Sequence, residues 1–213
     1  MRKQISTETA KDLLSIGAVF LRPEEPFTWA SGIKSPIYCD NRLTLSFPEI
    51  RNRLEKNIAE MVKENFPEVQ MLMGTSTAGI AHAAIAGHIL SMPMGYVRGS
   101  SKDHGRTNQI EGKLEKGQKV VVVEDLISTG GSSVQVVDIL REAGAEVLGI
   151  VSIFTYGMKA AEDKLGEATI TNISLSTFDE LIEVASEEGY IKEEDKIKLI
   201  NFRNNPKDES WMK

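Results

Sequence analysis

Cysteine is nearly absent. Cys39 is the only one in 213 residues, so no internal disulfide framework holds this chain. That thiol reads as a small hydrophobe in a reducing compartment. Positive charge is also short: 25 Lys and Arg stand against 31 Asp and Glu, a formal charge of −6. Such a balance argues against a nucleic-acid partner and accommodates a phosphate-rich small ligand only where basic groups gather locally. Long apolar runs are missing as well. The most apolar stretch, residues 83–94, is interrupted by Gly87, His88 and Pro93 and is too short to span a bilayer. Residues 1–4 lead into polar sequence rather than a signal-peptide core. The expectation is a cytoplasmic protein with neither membrane nor nucleic-acid partner. No internal repeat or low-complexity segment interrupts an ordinary composition, 41% hydrophobic and 26% charged. The length fits a single domain, 1–213, with a substantial core.

What is present is an alternation of periods. Helical spacing covers 6–16 and 48–65, the latter carrying Ile50, Leu54, Ile58, Met61 and Val62. Short apolar strands at 69–73, 94–97, 119–123 and 146–154 are interleaved with helices at 78–90 and 132–143. That order predicts an α/β fold, a central, mostly parallel sheet flanked by helices. Val120 to Val123 form an unbroken β-branched run, the pattern of a central strand. A helix at 159–165, a strand near 170–173 and helices near 178–185 and 193–202 complete the pattern, with a loose tail expected after Arg203. The stretch 99–117 is polar and carries Lys102, His104, Arg106 and Lys113. It reads as one long loop of the kind that is functional or disordered.

The most informative segment begins at Val120. Its valines end in adjacent carboxylates, Glu124 and Asp125, followed by Ser128, Thr129, Gly130, Gly131 and Ser132 at the head of a helix. Ligands of parallel sheets sit at the carboxyl ends of strands. The glycines let backbone N–H groups turn toward an anion, and the helix N-terminus supplies a favourable dipole. The two carboxylates suit sugar hydroxyls, from which they accept hydrogen bonds. A ribose 5-phosphate meets both demands. The segment is neither a Walker loop, since no Gly-Lys-Ser/Thr follows, nor a Gly-x-Gly-x-x-Gly dinucleotide turn. His82 and His88, on a predicted helix, read as structural.

This segment resembles the phosphoribosyl pyrophosphate (PRPP) motif of type I phosphoribosyltransferases. The resemblance implies that Glu124 and Asp125 hold the ribose hydroxyls while Ser128 and Thr129 through Ser132 hold the 5-phosphate. Residues 27–38, with Ser31-Gly32 and Ser35-Pro36, resemble the small N-terminal hood of the orotate phosphoribosyltransferases, here about 1–45. Residues 73–79 resemble that family's loop beneath the pyrophosphate, and Arg98 with 102–105 its mobile catalytic loop, here about 98–117. The four segments occur in family order. They imply transfer of the phosphoribosyl group of PRPP to orotate, giving orotidine 5′-monophosphate.

Arg98, Lys102 and His104 form the basic cluster for the leaving pyrophosphate, with Mg²⁺ carried on PRPP and no direct protein ligand. Lys102, His104 and Asp125 are the expected catalytic groups. Orotate would meet Tyr38, Cys39 and the hydroxyl of Ser128, with Arg42 and Lys34 as candidate cations. The resemblance further implies a homodimer whose catalytic loop acts in trans. The chain departs from some relatives in having Ala30, Ala78 and Gly99 in place of lysines and Tyr156 in place of an arginine. The competing readings are a purine, xanthine-type transferase and a non-catalytic regulator that senses PRPP.

Overall fold

The computed structural model describes residues 2–29, 32–99 and 109–212. Its centre is a six-stranded sheet built from β5 (Met71–Thr75), β6 (Met94–Val97), β7 (Ile110–Glu111), β8 (Lys119–Ile127), β9 (Glu146–Thr155) and β10 (Asn172–Thr177). The spatial order is β10-β9-β8-β5-β6-β7. Every neighbouring pair is parallel except β6–β7. The valine run of β8 is apolar at every position because both of its faces are covered. Val121 and Val123 face one core with Ala83 and Ala86 of α3 (Ala78–Leu90); Val120 and Val122 face the other with Val136, Val137 and Leu140 of α4 (Gly131–Glu142).

The chain leaves the middle of this sheet in two directions. From β5 it passes through α3 to β6 on one side; from β8 it passes through α4 to β9 on the other. β5 and β8 are therefore neighbours whose following helices lie on opposite faces, the topological switch point where a crevice opens at the carboxyl ends of the strands.

Helix α1 (Arg2–Ser15) packs against β10 and against α6 (Phe178–Glu187), so it belongs to the main body. The hood is narrower than the expected 1–45. It consists of two small antiparallel pairs, β1 (Val19–Leu21) with β4 (Ile37–Cys39) and β2 (Phe27–Thr28) with β3 (Lys34–Ser35). A 3-10 turn, Asn41–Ser46, then leads into α2 (Pro48–Asn65).

Two expectations need correction. The stretch 99–117 is not one loop: Ile110–Glu111 pairs with Tyr96 and Val97 as the sheet edge, and Leu114 packs on the core. Backbone pairing dominates there although the segment is polar, because an edge strand of two residues needs little apolar surface. Nor is the tail loose. Beyond α7 (Asp195–Asn204), Trp211 is only 3% exposed and meets Phe202 edge-on at 5.6 Å. One indole outweighs the polar residues around it. Trp211→Ala should lower the unfolding free energy by about 3–5 kcal/mol. Trp211→Phe should cost less than about 1.5 kcal/mol, since the buried indole Nε1 has no hydrogen-bond partner among the described residues. Urea denaturation measures both, and an unchanged alanine variant would mean that the tail contributes nothing.

Candidate active site

A cavity of about 270 Å³ opens at the switch point, with Thr75, Ala78, Arg98, Glu124, Asp125 and Ser132 in its wall. These residues come from the tips of β5, β6 and β8 and from the first turns of α3 and α4. The structure thus brings together four residues anticipated from sequence, Arg98, Glu124, Asp125 and Ser132. The turn between β8 and α4 holds Ser128, Thr129 and Gly130. Gly130 sits at φ +74°, a left-handed conformation that glycine adopts without penalty, and no side chain caps α4. Its first N–H groups and the positive end of the helix dipole are left for an anion.

The two adjacent carboxylates have different surroundings. Glu124 is buried, and both of its oxygens accept hydrogen bonds: Oε1 from the Thr75 hydroxyl at 2.6 Å and from the Asp125 N–H at 3.0 Å, Oε2 from the Ser133 hydroxyl at 2.9 Å. Burial is the main cause that raises the Glu124 carboxyl from its ordinary 4.5 to about 7, with Asp125 adding to the rise. Asp125 is half-buried in the cavity wall, its carboxyl beside that of Glu124 and interacting with it. Thr75 and Ser133 carried no sequence signal of this role. They are ordinary hydroxyls until the fold sets them around one carboxylate.

Arg98 is half-buried, with its guanidinium 3.6 Å from Glu111. Its N–H donates to the Gln109 carbonyl at 2.7 Å, which holds together the two ends of the intervening segment at the rim of the cavity. Lys102 and His104 lie in that segment, outside the described residues, as do Ala30 and Ser31 of the hood.

On the hood side, Tyr38 is exposed and tilts against Phe27 at 5.7 Å. The Cys39 thiol donates to Asn41 Oδ1 at 3.2 Å; burial, with Asp125 and Asp40 nearby, pushes its pKa well up and keeps it protonated. Asn41, which sequence reasoning missed, is fully buried and donates through Nδ2 to the main-chain carbonyl of Asp125 at 2.7 Å. Arg42 is exposed and forks onto Asp40, with Nε–Oδ1 at 2.6 Å and Nη2–Oδ2 at 2.8 Å. Lys34 donates to the Thr28 hydroxyl at 2.7 Å within the hood. Neither cation is free of a protein partner. Tyr156 is buried and stacks on Trp29 at 6.0 Å with 19° between the rings, tying the hood to the end of β9. Burial, followed by Cys39, Tyr38 and Asp125, raises its phenol well above the ordinary value. His82 is fully buried, with Nδ1 2.5 Å from Glu55, and lies outside the cavity wall.

This geometry defines a class, and the chain matches the phosphoribosyl transferase domain family over residues 46–187. It is 58% identical over 205 residues to the orotate phosphoribosyltransferase of Bacillus anthracis, covering 96% of this chain and 98% of that one. Among solved structures it superposes on the orotate phosphoribosyltransferase of Aeropyrum pernix with a TM-score of 0.73, at 30% identity over 85% of this chain and 98% of the other. It also superposes on the UMP synthase of Leishmania donovani at 0.80, with 26% identity over 92% of this chain and 42% of that longer one. The chain belongs to the phosphoribosyl transferase family and, within it, to the orotate phosphoribosyltransferases. The likeness at 58% identity extends beyond the matched domain into the hood.

The raised Glu124 pKa has a stability consequence of definite sign. The folded state favours the protonated acid, so this contribution is complete below pH 4.5 and is lost as the pH rises through about 7. Glu124→Gln removes that titration. Between pH 5 and pH 8 the unfolding free energy of the wild type should fall relative to the variant by on the order of 2 kcal/mol. Urea titrations at the two pH values read this double difference, and a constant gap would mean that Glu124 is charged throughout.

Proposed function

We propose that the protein transfers the phosphoribosyl group of PRPP to orotate. The C1–O bond to the pyrophosphate breaks, a ring nitrogen of orotate bonds to C1, and that nitrogen loses its proton. The observation that carries this reading is the switch-point cavity itself, with two adjacent carboxylates, an uncapped helix and Arg98 in or at its wall. Asp125, with Glu124 behind it, accepts hydrogen bonds from the ribose hydroxyls. Ser128 and Thr129 through Ser132, with the N–H groups of α4, hold the 5-phosphate. Arg98, Lys102 and His104 neutralise the departing pyrophosphate. The hood excludes water from a ribose that gains positive charge as the bond breaks.

Orotate lies between Tyr38 and Cys39 of the hood and the Ser128 hydroxyl, with Arg42 and Lys34 as candidate cations for its carboxylate. Mg²⁺ would be carried on the diphosphate of PRPP with no direct protein ligand, since a hard cation of this kind needs few protein oxygens when a diphosphate supplies them. When bound, it offsets the charge of the leaving group.

We further propose a cytoplasmic homodimer in which Lys102 and His104 complete the partner's site. No helix of the described residues is long and apolar enough to cross a membrane.

Incubation with orotate, PRPP and Mg²⁺ should deplete orotate absorbance. Depletion of xanthine instead, or binding of PRPP without turnover, would reject orotate as the substrate. Subunit mixing tests the loop. Lys102→Ala and Asp125→Asn, each inactive alone, should together regain roughly a quarter of wild-type activity, because about half the dimers are mixed and each has one intact site. Subunit exchange verified by mass spectrometry without recovery would place the loop in its own site.

A further inference from the structure

Asn41 carries no assigned role, yet its side chain joins the two halves of the site. It is the first residue of the 3-10 turn that follows β4, and it is fully buried. The local task at this position, capping the turn, falls to Asp40, whose carboxylate accepts the Arg42 N–H. The Asn41 amide instead reaches a residue 84 positions away, where Nδ2 donates to the Asp125 carbonyl at 2.7 Å. A carbonyl only accepts, so the amide orientation is fixed by its partner. The opposite end, Oδ1, accepts the Cys39 thiol at 3.2 Å. Asp125 lies past Val123, the last residue of β8 that pairs with β5. At that point the ladder with β5 has ended, so on this side the strand, still paired with β9 on the other, is met by Asn41.

We propose that Asn41 is a positioning residue that sets the distance and angle between the base subsite, at Tyr38 and Cys39, and the ribose subsite, at Asp125. This rests on the transferase reading above. A ligand confined to one subsite is insensitive to that spacing. A ligand that bridges both feels any change in it, because a rigid nucleotide cannot follow two sites that drift apart.

The test compares calorimetric dissociation constants of wild type and Asn41→Ala for orotate, for ribose 5-phosphate and for orotidine 5′-monophosphate, which contains both. Loss of the buried Asn41–Asp125 hydrogen bond predicts that the bridging ligand weakens by up to about tenfold. For orotidine 5′-monophosphate the factor should exceed the product of the factors for the two fragments. Asn41→Ser, which keeps a polar donor one bond short of the amide nitrogen, should show the same excess, and it carries the test where the alanine variant does not fold. An excess of one, meaning that the bridging ligand loses no more than the fragments combined, overturns the proposal. So does a lower melting temperature with all three affinities unchanged. If wild-type protein binds neither orotate nor orotidine 5′-monophosphate, the transferase reading falls and this inference falls with it; additive losses in a protein that binds both remove the inference alone.

Discussion

Glu124 accepts hydrogen bonds from Thr75 and from Ser133, and so joins the tip of β5, the tip of β8 and the first turn of α4. The rest of the site depends on that joint. At the switch point the chain leaves β5 and β8 toward opposite faces, and the ladder between these two strands ends at Gly74 and Val123 while β8 stays paired with β9. A buried carboxylate accepting from both sides closes the gap. Close approach is part of the same arrangement. A Cβ on Gly79 would lie 2.4 Å from both the Thr75 hydroxyl and the Val123 carbonyl, so only glycine lets α3 begin there. Glu124 and Asp125 both lie in the cavity wall, Glu124 bonded to Thr75 and Ser133 and Asp125 the less buried of the two.

The hood is attached by contacts of two kinds. Trp29 stacks on Tyr156 and meets Phe202 edge-on, and Phe202 meets Trp211, so aromatic rings run from the hood through the end of β9 to the C-terminal helices. Such contacts hold area without fixing a single orientation. The Asn41 amide adds direction, since a buried hydrogen bond is costly to leave unmade. Tyr156 occupies the position where some relatives carry an arginine, and here it serves packing: it is buried among Trp29, Phe154 and Phe178. Arg42 is paired with Asp40 and Lys34 with Thr28.

By itself the sequence determined the layered α/β architecture, the central place of β8 and the location of the Gly-Gly turn before α4. The reason is that these are local signals: a valine run buried on two faces, helical spacing at 48–65 and 78–90, and a Gly-Gly turn after paired acids. The likeness to orotate phosphoribosyltransferases was legible in the same local segments. Tertiary structure alone decided which of the two acids is buried, that Thr75 and Ser133 flank it, that Asn41 reaches Asp125 and that Trp211 seals the core. Each of these joins residues distant along the chain through a hydroxyl, an amide or a ring that looks ordinary where it stands. Edge pairing of Ile110–Glu111 escaped for a related reason, since two polar-flanked residues become a strand only when β6 lies alongside. Periodicity records which face of an element is buried, whereas the partner of a buried polar atom depends on where the rest of the chain has been folded to meet it.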